Sequence, residues 1–287
     1  MEQTVRLSSV PASPRTLLRA FATAFKRPRH APRLPVYTME NLQPDPERLR
    51  AFKERFGYTG PFVPSTYWHT RLFGVRILLS AHKNFPFPLP GMVHLTDTIR
   101  QHHPVSPGDS LRMECRLGRM LAHEKGSAFE TLTRLYRENT LVWEENTVNL
   151  HIGKTLFAEA DYEPVAMDGL PAAHEQHIRI PGNMGRIYAG ISGDFNPIHI
   201  STAGAKLFGF KRKLMHGWYG LNLILAQHPD IMAGPHEVYA AFKKPLYLPG
   251  DVMLRQQENG TETRFEIVDA KEGYPHLKGC LRKTATP

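Results

Sequence analysis

One short stretch of the chain carries three side chains suited to acid–base chemistry. Asp194, Asn196 and His199 lie within six residues, and the adjacent Gly193 and Pro197 favour an irregular turn that can bring small polar groups together. An ionised Asp can orient a water molecule, and a His with a pKa near ~6.5 exchanges protons near neutral pH. Asn can hold either group with a neutral hydrogen bond. The stretch therefore predicts a site of proton transfer.

The segments after this stretch predict the elements that position it. Ser201 is a good N-cap for a short helix through Phe208, and a second helix is predicted from His216 to Gln227, before Pro229. The second helix is apolar nearly all round, which is typical of a buried helix. Strand-like runs follow at 238–242, 252–257, 263–268 and 276–281.

The same order of elements occurs twice in the chain. Residues 107–109 (Pro-Gly-Asp) recur at 249–251, and residues 50–52 parallel 186–188 at a similar spacing, close to half the chain. In the first half a helix near 67–80 precedes strand-like runs at 111–116, 129–136 and 140–150. One buried helix followed by an antiparallel sheet, twice over, predicts an α+β fold. The predicted segments are a basic N-terminal arm (1–39), a first half (40–155), a linker (156–174) and a second half (175–287).

Residues 188–199 resemble the signature of the MaoC-like, (R)-specific enoyl-CoA hydratase (hydratase 2) family, in which Tyr precedes Ser-Gly-Asp-x-Asn-Pro-hydrophobic-His. Residues 205–210 and His216-Gly217 also match that pattern. Residues 242–245 and 271–277 are most similar to two-domain, mycobacterial-type 3-hydroxyacyl-thioester dehydratases.

The resemblance implies a double hot-dog fold, in which each half wraps an antiparallel sheet around a long helix. It also implies reversible dehydration of (3R)-hydroxyacyl thioesters to trans-2-enoyl thioesters in fatty-acid metabolism. No metal or redox cofactor is implied, and CoA or phosphopantetheine enters only as part of the substrate. Asp194 and His199 are the implied catalytic pair, with Asn196 in their network and the backbone N–H of Gly217 as oxyanion donor.

The oxyanion role has a physical basis. Gly217 begins the predicted buried helix, where free N–H groups and the positive end of the helix dipole point outward. A thioester carbonyl becomes enolate-like as the α-proton leaves, so a donor there acts when the charge develops. Our hypothesis is that His199 takes the α-proton in dehydration while Asp194 handles the leaving hydroxyl as water.

The first half does not repeat the motif. The internal alignment places Tyr58 where the second half has Asp194, and no Asn-Pro-x-His follows it. We therefore expect one active site per chain, with the first half as scaffold and as part of the acyl-chain pocket.

Two further groups are candidates for substrate contact. Lys211, Arg212 and Lys213 are either a solvated loop or contacts for the phosphates of CoA or the acidic face of an acyl carrier protein. His216, beside the oxyanion glycine, has either a structural or a chemical role. The 15 histidines show no metal-ligand spacing, so no metal site is predicted.

Much of the net charge of +9 lies in the arm, because 3–39 holds no acidic residue and seven Lys or Arg. A helix is predicted from Ser13-Pro14, with apolar residues at Leu17, Leu18, Phe21, Ala22 and Phe25. The arm is interpreted as a helix packed on the body, an interfacial membrane helix or a mitochondrial transit peptide. It has no aromatic interleaving and no known nucleic-acid module, so nucleic acid is not an expected partner.

The rest of the composition excludes other classes of protein. Cys115 and Cys280 are too few for a disulfide scaffold, and no apolar run approaches the ~18 residues of a membrane span. A cytoplasmic enzyme is expected. A two-half chain can itself mimic a dimer of single-domain subunits, so the sequence leaves a homodimer open. A non-catalytic acyl-thioester binding protein and a hot-dog thioesterase are alternatives, and the intact Asp-x-Asn-Pro-x-His argues against both.

Overall fold

The computed structural model describes residues 3–11, 16, 18, 19, 22–24, 26, 30–170 and 174–285. Its strands are β1 (Thr4–Arg6), β2 (Val36–Leu42), β3 (Val93–Gln101), β4 (Leu111–His123), β5 (Gly126–Arg137), β6 (Thr140–Ile152), β7 (Ala160–Asp161), β8 (His174–Ile180), β9 (His236–Phe242), β10 (Gly250–Asn259), β11 (Glu262–Asp269) and β12 (Pro275–Lys283). Its helices are α1 (Pro46–Phe56), α2 (Tyr67–Arg71), α3 (Phe73–Ala81), α4 (Met184–Ser192), α5 (Pro197–Ile200), α6 (Thr202–Leu207), α7 (Gly217–Leu225) and α8 (Pro229–Met232).

The strands form one continuous sheet in which two halves have the same connectivity. The order is β2-β4-β5-β6-β3 in the first half and β9-β12-β11-β10-β8 in the second. The halves meet where β3 pairs with β9 in antiparallel register, from Thr96 opposite Ala241 to Gln101 opposite His236. A single chain thus forms the continuous sheet that a dimer of two hot-dog subunits would otherwise form.

Each half packs an interior helix against the concave side of its sheet. In the second half this helix is α7, whose Leu221, Ile224 and Leu225 are fully buried. In the first half α2 and α3 take this place, and Trp68, Leu72 and Leu79 are buried there. The predicted α+β double hot-dog architecture is confirmed.

Several elements differ from the sequence-based expectation. The single helix expected near 67–80 is two helices that meet at Leu72. The helix expected to reach Gln227 ends at Leu225, and Pro229 begins α8 because proline is well tolerated in a first helical turn. Strands β2, β3 and β8 have no counterpart in the sequence-based prediction.

The internal correspondences occupy matching places in the two halves. Residues 50–52 lie on α1 and 186–188 on α4, and the two helices end at Gly57 and Gly193, both in the left-handed conformation. The Pro-Gly-Asp segments lead into β4 and β10. The linker adds β7, which pairs with β4 on the outer part of the first half, and residues 171–173 lie outside the described ranges.

The arm is described only in part. Strand β1 pairs in parallel with β2. Most of the predicted arm helix, including Ser13, Pro14, Leu17, Phe21 and Phe25, lies outside the described residues. Among the described residues, no helix combines the length and apolar character needed to cross a membrane.

Candidate active site

Both halves line one cavity of about 580 Å³. Asp194, Asn196, His199, His216 and Gly217 all lie in its wall. Both halves contribute apolar side chains to the wall, and the first half also contributes several polar ones, among them His69 and Thr147. The structure therefore brings the four predicted catalytic residues and His216 together at one place.

The end of α4 positions the Asp194 carboxylate. The N–H of Gly193 donates to the carbonyl of Ala189 at 2.8 Å, and the positive φ of Gly193 turns the chain out of the helix. The N–H of Asp194 donates to Oγ of Ser192, and the N–H of Asn196 donates to Oδ1 of Asp194 at 3.1 Å. The turn leaves Oδ2 of Asp194 to face the histidines.

Asn196 has a structural place in this arrangement. Its Oδ1 accepts a hydrogen bond from the N–H of Ile198 at 3.3 Å, so Asn196 caps α5. Pro197 occupies the first position of that helix. Because α5 is only one turn long, the cap orients the turn that carries His199.

His199 is held by one ring nitrogen and faces Asp194 with the other. Its Nδ1 lies 3.0 Å from the carbonyl oxygen of Leu214, and its Nε2 lies 3.9 Å from Oδ2 of Asp194. A carbonyl oxygen only accepts, so Nδ1 carries the proton and neutral His199 has its lone pair on Nε2. His199 therefore presents a base to the cavity.

His216 packs against His199 at the start of α7. The two rings stack with centroids 3.6 Å apart, and Nε2 of His216 lies 3.0 Å from the carbonyl oxygen of Asp194. His216 is also the N-cap residue of α7. His216 thus connects the turn at Asp194 to the start of α7. Of the two roles considered for His216 from the sequence, this contact supports the structural one.

Gly217 is the first residue of α7 and lies beneath an aromatic ring. A Cβ at Gly217 would overlap the ring of Phe242, so this position requires glycine. The first N–H groups of a helix have no partner within the helix, and the dipole favours negative charge there. The geometry suits an oxyanion donor.

Burial keeps both histidines uncharged. It lowers the pKa of His199 below the usual 6.5, although the Asp194 carboxylate opposes the shift. Burial, and secondarily the neighbouring His199, lowers the pKa of His216 well below 6.5. His199 is accordingly in its basic form at neutral pH.

Among the described residues, two trios of side chains have the spacing of metal ligands. The ligand atoms of Asp194, His199 and His216 lie within 4.8 Å of one another, as do those of His69, Asp97 and Glu145. In the first trio each histidine already has one nitrogen on a backbone carbonyl, which leaves one nitrogen each for other contacts.

The predicted basic trio lies elsewhere. Within the part of the chain that the structure describes, Lys211, Arg212 and Lys213 are not among the residues that line the cavity, and the Arg212 guanidinium lies 5.6 Å from the Tyr247 ring centre. Lys243 and Lys244 line it instead.

The sequence reasoning did not assign a role to Tyr188, which also lines the cavity. Its hydroxyl is buried and has no hydrogen-bond partner among the described residues. Burial, followed by the charge of Asp194, raises the pKa of Tyr188 well above 10.0, so the hydroxyl remains a donor. Its position at the start of the stretch 188–199, where the resembled family signature also has a Tyr, is the signal that the sequence carries.

Fold and site together define a class: a double hot-dog protein whose second half is similar to MaoC-like domains. Residues 167–279 match the family described as "MaoC like domain". This confirms the resemblance found in the sequence.

Named relatives extend the similarity over the first half. The chain is 29% identical to 3-hydroxyacyl-thioester dehydratase X of Mycobacterium tuberculosis over 276 residues, covering 95% of this chain and 98% of that protein. The crystal structure of that organism's HtdX has a TM-score of 0.75, with 28% identity over 87% of this chain and 100% of the other. A mitochondrial 3-hydroxyacyl-[acyl-carrier-protein] dehydratase of Arabidopsis thaliana is 28% identical over 93 residues, covering 28% of this chain and 54% of that protein.

Proposed function

We propose that the protein catalyses the reversible dehydration of (3R)-hydroxyacyl thioesters to trans-2-enoyl thioesters in fatty-acid metabolism. The observation that carries the proposal is the free Nε2 of His199, which faces the Asp194 carboxylate beside the N-terminus of α7 in one cavity. The similarity to named dehydratases supports a hydro-lyase activity, and the family resemblance supports the (3R) configuration.

In the dehydration direction, the thioester carbonyl binds at the N–H of Gly217. Nε2 of His199 removes the α-proton, and negative charge develops on the carbonyl oxygen as the enolate-like state forms. The proton that His199 has taken then passes to the Asp194 carboxylate, whose Oδ2 lies 3.9 Å away, and from it to the hydroxyl on C3. The C3–O bond breaks, the hydroxyl leaves as water, and the neutral imidazole and the ionised carboxylate are restored. The steps need neither a metal nor a redox cofactor.

The carrier attached to the acyl group is CoA or an acyl carrier protein. Lys243 and Lys244 in the cavity wall provide positive charge for a phosphate group, and Lys244 lies 4.5 Å from the Tyr274 ring centre. Lys211, Arg212 and Lys213 lie in the loop between α6 and α7, whose flanking residues Phe210 and Leu214 line the cavity, so they are further candidates for contact with the carrier's phosphates. Turnover of the same enoyl group on both carriers decides between them.

Hydration of crotonyl-CoA and longer enoyl-CoA by purified Asp194→Asn and His199→Ala proteins tests the proposal. Each substitution should lower kcat/KM by about 10²–10⁴-fold, because each removes a positioned acid or base. Asp251 and His177 form a matched control, since they are an Asp–His pair 3.7 Å apart on the surface. Asp251→Asn and His177→Ala should leave turnover unchanged. Unchanged turnover in both site variants, or release of free thiol instead of water addition, would overturn the proposal.

The pH profile provides a second measurement. Because burial lowers the pKa of His199, the acidic limb of kcat/KM should lie below pH 6.5, with full activity at neutral pH. A profile that loses activity as the pH falls from 8 to 7 contradicts a buried, neutral His199 as the base.

A further inference from the structure

The sheet buries more polar side chains on its inner face in the first half than in the second. Strands β3, β5 and β6 bury Asp97, Thr131, Thr133, Glu145 and Thr147. The corresponding strands β9, β11 and β12 bury Val238, Ala240, Phe265, Ile267 and Leu277. Burying charged and hydroxyl groups costs free energy unless they are paired, so the polar set in the first half calls for an explanation. We call the five buried residues of β3, β5 and β6 the polar wall.

Glu145 organises this polar wall. Its Oε1 lies 2.7 Å from Nδ1 of His69, and its Oε2 lies 2.8 Å from Nη1 of Arg76. The carboxylate accepts both hydrogen bonds, so the proton of His69 lies on Nδ1 and the lone pair of the neutral ring lies on Nε2. Burial, followed by the charge of Arg76, lowers the pKa of His69 well below 6.5, which keeps the ring neutral.

The wall faces the same cavity as the candidate active site. His69 lines that cavity and stacks on Trp218, the residue after Gly217, with ring centres 3.6 Å apart. Thr147 lines it too, two residues from Glu145 on the same face of β6. Oγ1 of Thr147 is buried with no hydrogen-bond partner among the described side chains and backbone.

We propose that His69 and Thr147 form a polar subsite that binds an uncharged hydroxyl or amide group of the thioester substrate. Nε2 of His69 accepts the O–H or N–H of that group, and the Thr147 hydroxyl donates to its oxygen. The Arg76 guanidinium is already paired with Glu145, which makes it a poor partner for an anionic group in the same place. The group belongs either to a hydroxylated acyl chain or to an amide of the pantetheine arm, and the inference rests on the proposed dehydratase function.

His69→Phe tests the subsite because it keeps a flat ring on Trp218 and removes both ring nitrogens. The matched control is His151→Phe, since His151 stacks on Phe87 in the same half, with ring centres 4.6 Å apart, and is not among the cavity-lining residues described. Thr147→Val is the second variant. It should fold with an unchanged or higher Tm, because it removes a buried hydroxyl that lacks a partner among the described residues.

The substrates form two series. The first compares crotonyl-CoA, crotonyl-N-acetylcysteamine and S-ethyl crotonyl thioester, which differ in the amides of the carrier arm. The second compares hex-2-enoyl-CoA with 6-hydroxyhex-2-enoyl-CoA. Loss of one hydrogen bond should lower kcat/KM by about two- to tenfold for the substrate that carries the recognised group, and leave its partner lacking the group unchanged.

The outcomes are separable. A loss that follows the amides assigns the subsite to the carrier arm, and a loss that follows the 6-hydroxyl assigns it to the acyl chain. A loss of equal size on all five substrates, or on none, in both His69→Phe and Thr147→Val overturns the subsite while the proposed function stands. Wild-type protein that turns over none of the five overturns the proposed function and the subsite with it.

Discussion

The two halves share strand order and an interior helix, but the turn that follows α1 and the equivalent turn after α4 carry different kinds of side chain. In the second half α4 ends at Gly193 and the next residue is Asp194, which faces the cavity. In the first half α1 ends at Gly57 and the next residue is Tyr58. The Tyr58 hydroxyl lies 3.2 Å from Oγ1 of Thr66 and donates to Oδ1 of Asn222 at 3.1 Å.

This difference shows how a duplicated fold separates architecture from chemistry. The glycine that ends the helix is common to both halves because the chain must leave the helix in the left-handed region there. The residue after the glycine differs between the halves. The carboxylate of Asp194 can take part in catalysis, whereas the phenol ring of Tyr58 stacks on Phe52. The polar groups of the first half lie on its sheet instead, around Glu145.

The largest effect on stability is expected at Glu145. Glu145→Gln should lower the free energy of unfolding by about 3–5 kcal/mol, because the Arg76 charge then stays buried without its partner. Glu144→Gln is the matched control, since the adjacent residue forms partly exposed ion pairs with Arg134 and Arg100, which contribute about 0–1 kcal/mol each. Denaturant unfolding measures both, and equal losses would show that the polar wall of the first half has no special energetic weight.

Gly217→Ala tests the chemical side of the comparison. Loss of one oxyanion donor should lower kcat by about 10²–10³-fold, because the added methyl group displaces Phe242 or the start of α7. Gly190→Ala on α4 is the control: a Cβ there meets nothing within 4 Å, so activity should be retained and stability unchanged or higher. Comparable kcat values for the two variants would contradict the role given to Gly217.

The contact between the halves should make stability depend on pH. His236 of the second half lies 2.8 Å from Oγ of Ser65 in the first, and burial lowers its pKa to about 4. Between pH 6.5 and 4 the unfolded chain binds a proton that folded His236 does not, so stability falls as the pH falls. By linkage the loss at pH 5 is about 2 kcal/mol from this residue.

Unfolding free energies at pH 7 and pH 5 check this contribution. His236→Gln should show a smaller difference between the two pH values than the wild type, whereas His174→Gln at an exposed position should show the same difference as the wild type. A wild-type protein with equal stability at pH 7 and pH 5 would contradict a buried neutral His236.

The smallest effect is expected at Tyr58, the counterpart of Asp194. Tyr58→Phe should cost about 0.5–1.5 kcal/mol of stability, because Thr66 still donates to Asn222 at 2.7 Å after the hydroxyl is lost. Its kcat/KM should equal that of the wild type. A large loss of activity would show that Tyr58 contributes to catalysis and not only to the stability of its turn.

The sequence predicted the elements with strong local signals. Ser201 caps α6 with its Oγ as expected, and α7 lies where the apolar run begins at Gly217. Strands β2, β3 and β8 escaped prediction because their polar residues, such as Asp97 on β3 and the exposed His174 and Glu175 on β8, conceal the alternation of a half-buried strand. Their pairing with distant strands decides their conformation.

The residues of the candidate site also fall into two groups: those that the local sequence predicts and those that only packing brings to the site. Asp194, Asn196 and His199 are close in the chain, and local turns and caps bring them together, so their convergence was readable from spacing. Tyr188 and the lysines at 243 and 244 join them only through packing, and packing also leaves residues 211–213 outside the cavity wall although Phe210 and Leu214 line it.

The sequence by itself determined the candidate catalytic stretch and the helix that begins at Gly217, because each depends on residues within a few turns of one another. It also showed the duplicated order of elements, because that order repeats along the chain. Only the tertiary structure decided that His69 and Arg76, which lie in the wall of the same cavity, both bond to Glu145. The three come from two helices and a strand up to 76 residues apart, and their burial and mutual hydrogen bonds depend on how the helices pack against the sheet.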